Sequence, residues 1–449
     1  APLIAAAYPV LKQSSLRCGT ARGARRRDQG LGGLGRLPQS WRLRVQAVLA
    51  ALRNCARGTP PPRPGARGWG RAFGQVLLRD KNPRIVLYGS ATTTVVRRLA
   101  FLEYTRQLRM NFKEGNMKDG HGRVIDYLRI SLTDRCNFRC VYCMPEEGVQ
   151  QLSHFDILRI EEVEQAVRIA TTIGIKSVRL TGGEPTVRKG LVDLVRNIAA
   201  MPEIENVSMT TNGVLLPRMA ADLKAAGLSR VNLSLDTLDA EKFHKITRCG
   251  SLDDALRGID AALESGFNPV KINAVALRSL ADGFLDFAKL SVDRPLHVRF
   301  IEHMPIGDVS EVDGISWGKD GVISCEEVFN IINEGARAQG LGELVPAGED
   351  KPIGWGPAEY YHFPGAAGTV GFISPLSRHF CSKCNRLRLT ADGKLRPCLF
   401  SDEEYDLRTA LREGTEEDQR AVFLQALGAK PDEHHDKVGT ERGMSQIGG

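Results

Sequence analysis

No uninterrupted apolar run in the 449 residues approaches the roughly 20 that a membrane-spanning helix requires, which excludes a helical span and leads us to expect a soluble protein. Acidic residues are almost missing from positions 1–109, where three stand against 21 Lys and Arg, 19 of them Arg. Serine is scarce there too, with four, and no methionine precedes Met110. The shortage of serine weakens an organelle transit peptide, which is Arg-rich but also Ser-rich. The lack of interleaved aromatics weakens single-strand nucleic-acid binding, which needs stacking surfaces. A third reading is upstream sequence translated from a misplaced start, with the functional chain opening near Met110 or Met117. None of the three needs a packed core. We therefore expect 1–109 to be a disordered or irregular leader outside the catalytic fold. Past it the balance reverses to 40 basic and 50 acidic residues, so the formal charge of +8 hides an acidic body.

From Asp126 onward, short β-branched runs alternate with helical patterns. Strands are expected at 126–132, 177–181, 206–211, 230–235, 270–277 and 297–302, and helices at 160–173, 191–200, 216–226 and 252–266. Val163, Ala166, Val167 and Ala170 carry the 3.6-residue spacing. Six such units imply an α/β fold with a parallel sheet, either doubly wound or a partial TIM-type barrel, and chemistry at the strands' carboxyl ends. We expect a core over 110–305 and a C-terminal region over 306–449.

Cys136, Cys140 and Cys143 follow the first strand at C-x3-C-x2-C spacing. Three thiolates on one loop can hold a four-iron cluster and leave one iron open. A zinc knuckle is the bland alternative, yet zinc in a structural site wants four closed ligands, and no nearby residue supplies the fourth. Gly182-Gly183-Glu184-Pro185 follows the second strand, and its N–H groups could hold a carboxylate or amine-bearing cofactor. Cys381, Cys384 and Cys398 repeat the three-ligand pattern at C-x2-C-x13-C, with His379 a conceivable fourth ligand for zinc. Grouped cysteines suit a reducing compartment and metal ligation better than disulfides. Cys249 and Cys325 read as ordinary thiols. Glu161, Glu162 and Asp402–Glu404 read as solvated helix starts, and His434-His435 as surface.

The first triplet with its Gly-Gly-Glu-Pro turn resembles the radical S-adenosylmethionine superfamily. With the second triplet, the segment Asn385-Arg386-Leu387-Arg388 and the tail Gly448-Gly449, the chain from about Val124 closely resembles the GTP 3′,8-cyclases of molybdenum-cofactor biosynthesis. Thr133-Asp-Arg-Cys136, Thr210-Thr-Asn-Gly213, Asn232-Leu-Ser-Leu-Asp236, Arg299-Phe-Ile-Glu-His-Met304 and Gly371-Phe-Ile-Ser-Pro375 fall in the family's order. The resemblance implies a radical core barrel and two [4Fe-4S] clusters. The first cluster's open iron would bind S-adenosylmethionine and yield a 5′-deoxyadenosyl radical; the second's would meet the guanine base. It implies removal of the ribose C3′ hydrogen of GTP and closure onto C8. Contacts to S-adenosylmethionine would come from Tyr142, Gly183, Ser234 and Met304. GTP contacts would come from Arg129, Arg179, Thr210, Lys271, Arg386, Leu387 and Arg388, with Arg299 a further phosphate candidate. About four negative charges on GTP suit Arg forks and a Lys point charge.

The family also implies a flavodoxin- or ferredoxin-like electron donor, a downstream pterin synthase and room for a homodimer, with no nucleic-acid or membrane partner. Location would be cytoplasmic, or the mitochondrial matrix were the leader a transit peptide. Ser177 departs from the family, where many members carry a basic residue; Lys176 is a conceivable substitute. The rivals are a radical enzyme acting on a peptide and a non-enzymatic module with two zinc knuckles.

Overall fold

The computed structural model describes residues 118–149, 152–304, 311–312, 315–354, 356–434 and 442–448. The leader at 1–109 and Gly449 of the tail lie outside the described residues.

Six strands run through the first part: β1 (Tyr127–Ser131), β2 (Ser177–Thr181), β3 (Asn206–Thr211), β4 (Arg230–Ser234), β5 (Val270–Ala276) and β6 (Leu296–Glu302). Each pairs in parallel with the next. Their boundaries match the β-branched runs closely, because each run is stopped by a Gly, Pro or polar turn. Connecting them are α1 (Ile160–Thr171), α2 (Leu191–Ala199), α3 (Ala220–Ala225), α4 (Ala240–Thr247), α5 (Leu252–Glu264) and α6 (Phe284–Lys289). In α1, Val163, Ala166, Val167 and Ala170 are all buried, so the apolar stripe read from the sequence is the face pressed on the sheet. The helix expected over 216–226 is a 3-10 turn at Leu216–Arg218 followed by α3. Pro217 in that turn lacks the N–H a continuous helix needs.

The sheet continues past β6. After a small hairpin, β7 (Glu311–Val312) and β8 (Ile315–Ser316), comes α7 (Cys325–Ala338). Then follow β9 (Val345–Pro346), β10 (Glu359–His362), β11 (Thr369–Ile373), β12 (Arg386–Leu389), β13 (Lys394–Arg396) and β14 (Tyr405–Asp406). The order across the 12-stranded sheet is β14-β13-β12-β1-β2-β3-β4-β5-β6-β11-β10-β9. β12 lies parallel on β1 and β11 parallel on β6, so C-terminal strands cover both edges of the six-stranded core. The chain closes with α8 (Leu407–Glu413), α9 (Glu416–Gly428) and α10 (Met444–Ile447).

Strand alternation separates core from site. Leu128, Ile130, Val178, Leu180, Val207 and Met209 are buried on the helix-facing side. Tyr127, Arg129, Arg179, Thr210, Asn232, Lys271, Arg299 and Arg388 instead line one cavity, so the sheet curls round it as a partial barrel. Glu162 corrects its reading as a solvated helix start. It is 3% exposed and accepts from Arg412 Nε at 2.7 Å, tying α8 to α1. Burial pushes its carboxyl up, but the Arg412 and Arg159 hydrogen bonds outweigh this and pull it down to about 2. No described helix is long and apolar enough to cross a membrane.

Candidate active site between two cysteine triplets

The loop after β1 turns tightly: Cys143 and Met144 N–H both donate to the Cys140 carbonyl, at 2.9 and 3.1 Å. This brings Cys136, Cys140 and Cys143 to the wall of the cavity as free thiols. Burial pushes the Cys136 thiol up to about 11, Cys143 up to about 12 and Cys140 well above its usual value. Three half-buried soft donors on one cavity wall, each costly to ionise alone, fit a cationic iron–sulfur core that stabilises them as thiolates.

The Gly-Gly turn after β2 works differently from the sequence expectation. Gly183 N–H donates to Thr133 O at 2.6 Å and Glu184 N–H to Arg135 O at 2.8 Å. Those donors are already spent on the cysteine loop and are not free to hold a carboxylate. A Cβ on Gly183 would sit 2.2 Å from the Arg135 carbonyl oxygen, so the glycine permits backbone-to-backbone docking. Glu184 completes the lock, accepting from Thr186 N, Thr211 Oγ1 and Asn212 N at 3.0, 2.7 and 2.7 Å. Tyr142, Gly183, Ser234 and Met304 all line the same cavity. The Tyr142 hydroxyl donates to Asp236 at 2.9 Å, and its ring lies 4.6 Å from that of Trp317.

Above the loop the cavity turns cationic. Arg388, Arg129 and Arg179 are register neighbours on β12, β1 and β2. Arg179 donates to Tyr127 OH and, at 3.4 Å, to Thr210 Oγ1. With the Asn232 amide turned so that its oxygen faces the guanidiniums, that oxygen accepts from Arg179 and, at 3.1 Å, from Arg299. Lys271 and Arg230 donate to the Ile353 carbonyl at 3.0 and 2.8 Å. Burial, then Arg299, Arg230 and Arg179, push the Lys271 ammonium down to about 6. Burial and then Arg388 push Arg129 well down. Nε of Arg299 and of Arg386 is buried without a hydrogen-bond partner among the described residues. Crowded guanidiniums with donors to spare suit a polyanion, whose oxygens can take several of them at once.

The second triplet closes the cavity's far side. Cys381 opens a 3-10 turn, Cys384 N–H donates to Cys381 O at 3.0 Å, and Cys398 follows β13. All three line the cavity with Arg386 and Arg388. Leu387, 1% exposed, turns its side chain into the core, so any nucleotide contact it makes is limited to its backbone. Arg388 Nη1 donates to the Gly448 carbonyl at 2.7 Å, drawing the tail against the barrel. His434 corrects its reading as a surface residue: it is 8% exposed, and its ring lies 4.4 Å from that of His379. Ligand atoms of His379, Cys381 and His434 all lie within 4.8 Å of one another.

Ser177 is buried and accepts from Asn206 Nδ2 at 2.9 Å, while Lys176 pairs with Glu205 on the exposed side at 3.0 Å. Lys176 therefore does not replace the missing basic group. Sequence reasoning overlooked Tyr127, Arg230 and Asn232, all on the cavity wall. The signal was present, since polar side chains at every second position of an otherwise apolar strand mark an occupied inner face.

Comparison with known proteins supplies context for this geometry. The Radical SAM superfamily profile matches residues 130–290, and the Molybdenum Cofactor Synthesis C profile matches 296–436. A GTP 3′,8-cyclase of Pelotomaculum thermopropionicum is 52% identical over 337 residues, spanning 74% of this chain and 100% of that protein. One from Desulforamulus reducens is 49% identical over 337 residues, with the same shares covered. Among solved structures, Streptococcus suis SuiB bound to S-adenosylmethionine aligns over 74% of this chain and 72% of its own, at 16% identity and TM-score 0.45.

Proposed function

Because the chain belongs to the GTP 3′,8-cyclase family of the radical SAM superfamily, we propose that it converts GTP to (8S)-3′,8-cyclo-7,8-dihydroguanosine 5′-triphosphate, the first step of molybdenum-cofactor biosynthesis. Cys136, Cys140 and Cys143 would hold one [4Fe-4S] cluster, and Cys381, Cys384 and Cys398 another. When bound, the first cluster and S-adenosylmethionine supply a 5′-deoxyadenosyl radical.

The chain's own work is to bind and to orient. Tyr142, Gly183, Ser234 and Met304 would seat S-adenosylmethionine beside the first triplet. Arg129, Arg179 and Lys271, with Arg230 and Arg299, would take the phosphates, and Thr210 would fix Arg179. Arg386 and Arg388 would steer the base toward the second triplet, with the Gly448 backbone alongside. Enclosure between the triplets keeps water from a reactive carbon centre.

The observation that carries this reading is the single cavity of about 370 Å³, walled by one cysteine triplet, a band of buried cations and a second triplet. Its test is incubation of the anaerobically reconstituted protein with GTP, S-adenosylmethionine and a reductant. A cyclised nucleotide formed with 5′-deoxyadenosine supports it, and 5′-deoxyadenosine without one refutes the substrate.

The division into a core at 110–305 and a C-terminal region at 306–449 belongs to this proposal as a division of labour: the first part handles the radical source, the second the base. A flavodoxin- or ferredoxin-like donor would deliver single electrons, and a pterin synthase would take the product. A homodimer and a cytoplasmic location belong to the same reading. Matrix import would replace the latter if the leader proved to be a transit peptide, which an N-terminal sequence of the native protein decides.

A further inference from the structure

Lys430 follows α9 and is 3% exposed. Its ammonium donates to the Arg386 carbonyl at 2.8 Å and to the Pro397 carbonyl at 2.9 Å. An ammonium has three donors and no acceptor. Two of them are used by these carbonyls, which flank the Cys384 and Cys398 arms. Arg386 stands two residues after Cys384 and Pro397 directly before Cys398, so one side chain bridges both arms of the second triplet.

No carboxylate pairs with Lys430 among the described residues. A buried cation without an acidic partner is costly unless a negative group comes to meet it. A four-iron cluster held by three thiolates is such a group. The two triplets also differ in surroundings. The first has Glu184 near Cys136 and Asp236 near Cys140, with Arg139 the cation facing Cys136. The second has Lys430 and Arg386 beside Cys384 and Arg123 beside Cys381.

We propose that Lys430 is a charged positioning residue for the second cluster. Its ammonium bridges the Cys384 and Cys398 arms, and its uncompensated charge raises the potential at which that cluster takes up one electron. Donors to cluster sulfurs and nearby positive charge both favour the reduced, more negative state. Lys430 touches neither S-adenosylmethionine nor the reacting atoms in this account.

The inference rests on the second triplet holding an iron–sulfur cluster. Iron content of the full chain with and without the Cys381→Ala change examines that premise separately. The test of Lys430 itself replaces the first triplet by alanine, so that only the second cluster reports. Redox titration followed by electron paramagnetic resonance then compares Lys430, Lys430→Arg and Lys430→Gln. The Gln side chain keeps N–H donors but no charge; Arg keeps the charge.

With Lys430→Gln, the ratio of reduced to oxidised cluster at a fixed potential is expected to fall at least tenfold, about 59 mV for one electron. With Lys430→Arg it should stay within about threefold, roughly half that shift. Iron lost from the Gln variant but kept by the Arg variant would support the same conclusion, because charge is what separates them. A Gln variant whose cluster titrates like the parent's would overturn the proposal. So would loss of iron from both variants, which would make Lys430 a packing residue only.

Discussion

Arg388 Nη1 reaches the Gly448 carbonyl at 2.7 Å, tying a cation of β12 to the end of the chain across 60 residues. Through this bond the tail comes to lie against the inner ends of β1 and β2. Gly448 has φ of +71°, and a Cβ there would stand 2.6 Å from Thr181 Oγ1 and 3.2 Å from Ser131 Cβ. The tail is thus a fitted part of the barrel mouth.

Gly448→Ala is therefore expected to displace the tail. The left-handed backbone alone costs a side-chain-bearing residue about 1–2 kcal/mol, which corresponds to roughly a tenfold loss if felt in turnover. Iron content should stay unchanged, since no cysteine ligand moves. Turnover assays alongside iron analysis check both halves.

Lys271 predicts proton uptake on substrate binding. Its ammonium is pushed down to about 6, chiefly by burial and then by three arginines, so at pH 8 the ligand-free site holds a neutral amine. A triphosphate restores the charge, and binding should take up as much as about one proton. Affinity then falls as pH rises above about 6. Folding stability shows the opposite trend. The unfolded lysine holds its proton up to about 10.5, so between that value and about 6 the unfolded state binds more protons and ligand-free stability rises with pH. Calorimetry in buffers of different ionisation enthalpy measures the uptake, and Lys271→Met should abolish it.

Gly183→Ala should unseat the first cysteine loop. The added methyl would fall 2.2 Å from the Arg135 carbonyl oxygen and 2.6 Å from its carbon, and both are backbone. Overpacking against groups that cannot yield costs about 3 kcal/mol. A lower melting temperature and loss of the first cluster's iron, with the second cluster's signal retained, are the expected results.

Cys381→Ala separates the clusters chemically. Two four-iron clusters give about eight irons per chain, and losing one leaves about four. If the second triplet binds the base while the first feeds the radical, this variant should still cleave S-adenosylmethionine slowly but form no cyclised nucleotide. Iron analysis and product chromatography read the two effects.

Much of this architecture was legible from the sequence because period and punctuation agree. The six core strands are β-branched runs bounded by turns, and the ligand spacings survive any detail of folding. The strands β11 and β12, which flank the six-stranded core, were not legible as parts of one sheet. Parallel pairing of Leu387 with Leu128, or of Val370 with Val298, is a long-range contact that local pattern does not encode. Likewise His434 reads as a surface residue until His379, Phe400 and the Pro375 carbonyl close round it. Gly183 was recognised as a site residue, but only geometry reveals that its N–H serves the protein rather than a ligand.

The central claim is that GTP lies between the triplets with its ribose C3′ hydrogen presented to the radical source. It is tested most directly with GTP deuterated at C3′, by mass spectrometry of the 5′-deoxyadenosine formed. The account predicts deuterium in the 5′-deoxyadenosine and its absence from C3′ of the cyclised nucleotide. Unlabelled 5′-deoxyadenosine accompanied by GTP that keeps its deuterium would contradict it.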